Sequence, residues 1–114
     1  MSFHHPSIFL LFTLLVYVPA FSQDASNLHQ RALAGDVNAM MALGIQLYNG
    51  DGKEKKPEEA FLWLYKAAEK GHPDAMYSIA LMYTRGVGTS RSTRDAATWV
   101  SRAAKLGHAN AQNV

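Results

Sequence analysis

The 114-residue chain contains no cysteine, and this absence excludes several kinds of site. A disulfide framework, a thiolate zinc site, a cysteine nucleophile and a lipidated N-terminal cysteine all need a thiol that the chain does not have. A strong charge of one sign is also absent, because 11 basic and 9 acidic residues leave a net charge of +2. Nothing in the overall charge therefore indicates nucleic acid as a partner.

Charged residues are missing altogether from residues 1–23, apart from two histidines. This segment holds an apolar run at residues 8–18, which is shorter than the roughly 20 residues that span a bilayer. The run is followed by Ala20-Phe21-Ser22, a small-x-small pattern that is typical of signal-peptide cleavage. We predict a signal peptide over residues 1–22, cleaved after Ser22, and hence a periplasmic or secreted protein with no stable membrane span after cleavage.

Two alternatives to this cut stay open. Cleavage after Ala20 fits the same small-x-small pattern. The leader carries no Lys or Arg, unlike a typical signal peptide, so an uncleaved membrane anchor is the other alternative.

The rest of the chain repeats with a period of 36 residues and no gap. Ten positions are identical between residues 38–73 and 74–109, and they include the only two tryptophans, Trp63 and Trp99. We therefore predict the following units: a half-repeat helix at 23–37, repeat 1 at 38–73, repeat 2 at 74–109, and the start of a third repeat or a capping stub at 110–114.

Each unit has the pattern of two helices. In the first helix of repeat 1, Ala39, Leu43 and Leu47 recur at helical spacing and form an apolar stripe. Gly50 and Gly52 follow it, as glycine commonly does at a helix end.

The second helix begins near Pro57, which suits a first helical turn because proline has no N–H to leave unpaired. Its apolar side holds Ala60, Trp63 and the pair Ala67-Ala68, whose small side chains allow neighbouring helices to approach closely. In repeat 2, Ser92 or Thr93 is the predicted N-cap. Helix pairs of this kind bury a core only by stacking, so we predict an all-α protein, an α-solenoid of stacked antiparallel helix pairs.

The spacing of these alanines, glycines and tryptophans resembles the Sel-one-like repeat (SLR) family, a relative of the tetratricopeptide (TPR) solenoids. The resemblance covers residues 27 to 111, and the glycine-x-glycine joint with its 36-residue step favours it over a plain TPR, whose period is 34 residues. It departs from the family pattern at Leu47, Glu59, Asp95 and Ile79-Ala80, where the swaps are compatible with a core or a surface. The resemblance implies a protein–protein adaptor or scaffold role, often at the cell envelope.

The two ends of the repeat region have their own expectations. Residues 26–34 are predicted to be the second helix of an incomplete unit, with Leu28, Ala32 and Leu33 as its apolar residues. Repeat 2 loses large side chains, which favours a polar terminal cap over a truncated array and leaves self-association through the terminal repeat as a further hypothesis. The replacements are Phe61 by Ala97, Leu62 by Thr98, and Tyr65 by Ser101.

A search for catalytic chemistry finds no convincing set of residues. His72 and His108 each follow a helix-ending glycine, so they are read either as a repeated turn residue or as a pair of metal ligands that lacks a third partner. No nucleophile motif, phosphate loop or calcium loop is complete. We predict that the protein is not an enzyme and has no cofactor and no metal.

The candidate binding residues lie on the first helix of each pair, which lines the concave surface in solenoids of this kind. Their positions off the core stripe are apolar or aromatic, so they form either an exposed groove or additional core. A cluster of arginines at the second joint adds a positive charge that favours an acidic protein partner. The predicted partner-binding residues are Met41, Ile45, Tyr48, Tyr77, Leu81 and Arg85.

Together these features predict a non-catalytic, exported protein–protein interaction module whose partner is a protein and not nucleic acid. One alternative is a periplasmic inhibitor or immunity protein that binds a toxin or a hydrolase. A second is a β-lactam-binding hydrolase, since some cysteine-rich members of the resembling family are associated with that activity. The lack of cysteine in this chain argues against the second alternative.

Overall fold

The computed structural model describes residues 20–50 and 54–112, with side chains described for 27–50, 54–108, 111 and 112. Residues 1–19 of the predicted signal peptide therefore lie outside the described residues, and Ser22, the predicted cleavage position, lies within the first helix. Over the described ranges the chain is helical and contains no strand, which confirms the all-α prediction. The helices are α1 (Ala20–Leu33), α2 (Val37–Asn49), α3 (Pro57–Glu69), α4 (Pro73–Arg85), α5 (Thr93–Lys105) and α6 (Ala109–Gln112).

Each helix packs chiefly against the helices that precede and follow it in the chain. This nearest-neighbour stacking is the arrangement of an α-solenoid, as the repeat predicted. The first helix begins at Ala20, earlier than the predicted start at Ser26. None of the helices in the described ranges has the length and apolarity needed to cross a bilayer.

Helices α2 and α4 both end at a glycine in the left-handed conformation. Gly50 has φ +85° and Gly86 has φ +68°, and each donates its N–H to a carbonyl four residues earlier. A left-handed backbone is strained for residues with a Cβ, so these glycines stop the helices where predicted. Gly52, the other predicted breaker of repeat 1, lies outside the described residues.

The starts of α2, α4 and α6 share one capping position, 36 residues apart along the chain. Oδ1 of Asp36 accepts a hydrogen bond from the Ala39 N–H at 3.2 Å. His72 Nδ1 accepts from the Ala75 N–H at 3.2 Å, and His108 Nδ1 accepts from the Ala111 N–H at 3.3 Å. The two repeated histidines thus act as helix N-caps, satisfying backbone donors that would otherwise lack a partner.

The core is built largely from alanine, with larger side chains between the close-packed helices. Ala39, Ala67, Ala75 and Ala103 have no exposed surface, and Ile79 is the largest fully buried side chain. Both tryptophans are buried beside the alanines, as predicted. Close approach of helices through small residues explains why the repeat keeps alanine at these positions.

One predicted core residue of α1 is not in the core. Ala32 is buried and Leu28 is half-buried, but Leu33 is 65% exposed. Leu28 and Ala32 lie one turn apart and face the neighbouring helices, whereas Leu33 is rotated by about 100° from Ala32 and points away from them. The prediction that Leu33 belongs to the apolar side of this helix is therefore wrong.

Aromatic contacts join repeat 1 to repeat 2. The Phe61 ring meets Tyr83 edge to face at 5.2 Å, and the Tyr65 ring meets Trp99 in the same way at 5.5 Å. Burial raises the pKa of Tyr83, and the nearby Tyr65 and Asp95 raise it further. The corresponding positions of repeat 2 carry small or polar residues, and all of them are exposed: Ala97, Thr98 and Ser101.

One contact within the helix pair differs between the two repeats by compensating changes in side-chain size. A Cβ added to Gly44 would lie 2.6 Å from Leu64 Cγ and 2.8 Å from Leu64 Cδ2. In repeat 2 the equivalent pair is Ala80 and Val100, so a larger residue on the first helix accompanies a smaller one on the second. Repeat 1 thus uses glycine to make room for leucine.

We predict that Gly44→Ala lowers or raises the free energy of unfolding depending on which residue stands at position 64. In the wild-type background the overlap with Leu64 should lower the free energy of unfolding by about 1–3 kcal/mol, partly offset by the higher helix propensity of alanine. In the Leu64→Ala background no γ or δ carbon remains to overlap, so the same substitution should stabilise by up to about 1 kcal/mol. Urea unfolding of the four chains of this cycle measures both values, and equal effects in the two backgrounds would contradict the packing argument.

Candidate functional site

An apolar groove lies between α2 and α4, the first helices of the two repeats. Its volume is about 250 Å³, and its walls come from different repeats, with Leu64 of α3 between them. Helix α3 packs against both α2 and α4, so the groove lies where the two repeats meet. The groove is lined by Ile45, Tyr48, Asn49, Leu64, Ser78, Leu81, Met82 and Arg85.

The structure brings four of the six predicted binding residues together in this groove: Ile45, Tyr48, Leu81 and Arg85. Ile45 is 43% exposed, so it is not the additional core that was the alternative reading of this stripe.

The other two predicted residues lie elsewhere. Met41 packs, half-buried, against the core. Tyr77 also packs against the core, and its ring stacks on the His108 ring at 4.6 Å. Both residues stand one helical turn before the groove residues of the same helix. The helical period predicted this helix face, but it did not show that Met41 and Tyr77 pack against the core outside the groove lining.

Four groove residues were not predicted from the sequence: Asn49, Leu64, Ser78 and Met82. Leu64 belongs to the second helix of its pair and is 3% exposed, whereas the predicted binding residues all lie on first helices. Asn49 occupies the same repeat position as Arg85, and this correspondence was the signal that could have identified it.

The groove has a polar end. Asn49 and Arg85 are the last residues of α2 and α4, and the two helices are equivalent in the repeat, so both residues lie at the same end. Among the described residues, no carboxylate forms an ion pair with Arg85 within 4.0 Å. An apolar centre is therefore followed by a positively charged end.

Repeat 2 as a whole carries positive charge that its own carboxylates do not balance. Its two acidic residues are engaged: Asp74 Oδ1 lies 3.1 Å from His108 Nε2, and Asp95 Oδ1 lies 4.0 Å from Arg94 Nε. Arg102 stacks over the Trp99 ring at 4.7 Å. This surplus extends the positive potential of the groove end over the surface of repeat 2.

The two repeated histidines do not form a metal centre in this arrangement. Each uses Nδ1 to cap a helix, and His108 directs Nε2 to Asp74. Within residues 20–50 and 54–112, no group of three His, Asp or Glu side chains is placed to hold a metal ion.

The Sel1 repeat family pattern matches residues 37–72 and 73–108. These units have the predicted 36-residue length and are displaced by one residue from the predicted boundaries. No curated protein matches the chain.

Several solved structures share the fold. A Sel1 repeat protein from Oxalobacter formigenes is 30% identical, with a TM-score of 0.73 over 75% of this chain and 25% of its own. A protective antigen of uropathogenic Escherichia coli that displays an SLR fold is also 30% identical, with a TM-score of 0.72 over 75% of this chain and 18% of its own. Cysteine-rich protein B of Helicobacter pylori is 21% identical, with a TM-score of 0.72 over 75% of this chain and 65% of its own, and shows the fold alone.

The present chain thus spans a quarter or less of the first two of these structures. The family match covers more than half of its residues, in the two units that form the groove. The 36-residue period, the left-handed glycines and the alanine-rich stacking all belong to that pattern. The chain is a member of the Sel1 repeat family.

Proposed function

We propose that the protein is a non-catalytic adaptor that binds a segment of a partner protein in the groove between α2 and α4. Sel1 repeats are in general protein–protein interaction modules. The observation that carries the proposal is the apolar groove itself, in which Ile45 is exposed and Leu81 is half-buried beside one charged end. Exposed apolar surface rimmed by polar groups is typical of an interaction site.

The proposal includes export of the chain. Its support is the uncharged apolar run followed by the small-x-small pattern ending at Ser22. Cleavage there would remove the first three residues of α1 and leave a chain that begins at Gln23. Intact mass of the chain recovered from the periplasm or medium checks this, and a mass that includes residues 1–22 would contradict it.

A partner that is itself a toxin or a hydrolase is a narrower version of the same proposal, because an inhibitor or immunity protein would use the same groove. Blocking of the captured enzyme's activity distinguishes it from a passive adaptor. The β-lactam hydrolase alternative is tested separately with nitrocefin, for which we expect no turnover above a buffer control.

We predict that Leu81→Asp abolishes partner binding without unfolding the protein. A carboxylate at this half-buried groove position would be desolvated on binding, and loss of an apolar anchor at an interface commonly weakens binding more than tenfold. Leu62→Asp is the matched control, because Leu62 is 60% exposed and lies outside the groove. The measurement is affinity capture from an envelope extract by wild-type and variant chains, each checked by its thermal unfolding curve.

The comparison between the two variants decides the result. The adaptor proposal expects a discrete protein that is retained by wild type and Leu62→Asp and lost with Leu81→Asp. Equal recovery by both aspartate variants would place the binding surface elsewhere and reject this groove.

A further inference from the structure

Building on the proposed function, we propose that the groove recognises an extended segment in which an apolar side chain stands two residues from an Asp or Glu side chain. The apolar side chain enters between Ile45 and Leu81, and the carboxylate pairs with Arg85. The proposal concerns the chemistry of the partner segment, which neither the family nor the fold assigns.

The size of the groove indicates what can enter it. Its volume of about 250 Å³ lies below the roughly 300–1,000 Å³ of small-molecule pockets. A groove of this size accommodates one apolar anchor, whereas an amphipathic helix presents several anchors along its apolar face. One apolar side chain with the adjoining extended backbone fits best.

The spacing of the groove residues sets the spacing in the ligand. Leu81 and Arg85 are one turn apart on α4, a separation of about 6 Å along the helix. In an extended segment, residues two apart point to the same side and lie about 6.6 Å from each other. An apolar side chain over Leu81 therefore places the second next side chain over Arg85.

This spacing also favours a side-chain carboxylate over the carboxylate of a chain terminus. A terminal carboxylate is bonded to the same Cα atom that carries the last side chain. It has no intervening chain to cover the distance from the apolar centre to Arg85. Asn49, at the same end, can donate a further hydrogen bond to the carboxylate oxygens.

The charges around the groove also favour an acidic partner segment. Arg85 has no carboxylate partner among the described residues, and the acidic residues of repeat 2 are already engaged with His108 and Arg94. An incoming carboxylate would therefore meet an arginine that no carboxylate of the described residues pairs, beside an apolar surface.

The test uses a seven-residue peptide, capped at both ends, with leucine and glutamate two positions apart in a glycine–serine background. Binding to the purified full chain is followed by NMR titration at low salt. We expect shifts of the Ile45 and Leu81 resonances, and about fivefold weaker binding when the peptide glutamate is replaced by glutamine. Arg85→Glu should weaken the glutamate peptide about tenfold and bind a lysine-containing peptide in its place.

Lys105→Glu is the matched control, because it changes the net charge equally at an exposed residue outside the groove. Equal weakening by Arg85→Glu and Lys105→Glu, or equal binding of the glutamate and glutamine peptides, would overturn the acidic requirement. If Leu81→Asp still abolishes binding in that case, the proposed function survives without the present inference.

Two further outcomes also count against the inference. Tighter binding of an uncapped peptide that ends in leucine and lacks glutamate would mean that Arg85 binds the carboxylate of a chain terminus. Absence of any shift at Ile45 and Leu81 with the glutamate peptide, up to its solubility limit, would reject the extended acidic segment. In that case, a protein that is captured by wild type and lost with Leu81→Asp would still support the groove as a docking site.

Discussion

Replacing Gly88 by alanine is expected to lower the free energy of unfolding by about 3 kcal/mol, a large part of the stability of a domain of this size. Gly88 has φ +72°, and a Cβ added to it would overlap the carbonyl oxygen of Pro57, the first residue of α3. Met82 Cε, at 3.0 Å, leaves no space on another side. The backbone carbonyl cannot rotate away as a side chain could, so the joint between the two repeats must shift.

Gly71→Ala separates the two contributions to this effect. Gly71 has φ +93°, but a Cβ there would meet no atom within 4 Å. Gly71→Ala should therefore lower the free energy of unfolding only by the backbone strain of a left-handed residue, about 1–2 kcal/mol. Urea unfolding of both variants, followed by circular dichroism, measures the difference. Equal losses would mean that the contact between Gly88 and Pro57 contributes nothing.

Ile79→Ala is expected to destabilise the protein by about 2–5 kcal/mol. Ile79 lies in the middle of α4 with 0% of its surface exposed, so truncation leaves a cavity among residues of both repeats. Ile79→Val should lose only about 0.5–1.5 kcal/mol, because one methylene is removed. Thermal and urea unfolding provide the comparison.

Ile45→Ala is the control for Ile79→Ala, since Ile45 is the equivalent type of residue on α2 but is 43% exposed. Its loss should fall below about 1 kcal/mol, because little apolar surface leaves a buried environment. A loss as large as that of Ile79→Ala would show that the groove wall is part of the stabilising core. In that case the groove could not be a free binding surface.

Much of the fold could be predicted because the repeat places the same requirement at two positions. A glycine at 50 and at 86, a tryptophan at 63 and at 99, and an alanine at 39 and at 75 each identify a helix end or a close contact. The contacts between the two repeats were harder to predict from the sequence. The contact of Gly88 with Pro57 and that of Tyr65 with Trp99 join residues that the periodic pattern treats separately.

The candidate site was predictable only in part for a related reason. The helical period selected the face that holds Ile45 and Leu81, but the period alone does not reveal where a groove begins and ends. Met41 and Tyr77 share that face, yet both are half-buried against the core outside the groove lining, and the Tyr77 ring stacks on His108. This depends on the local geometry at the start of the next helix. Leu64 enters the groove because repeat 1 pairs it with Gly44.

The position of the groove across a repeat boundary links binding to stability. Its walls, α2 and α4, belong to different repeats, so a ligand that touches both can bind fully only while the two repeats stay joined. Such a ligand adds RT ln(1 + [L]/Kd) to the free energy of separating them, about 2.7 kcal/mol at a hundredfold excess over Kd. By the same linkage, any substitution that loosens the contact between the repeats at Gly88 would weaken ligand binding, although no ligand atom need touch that residue. The joint and the binding site form one thermodynamic unit.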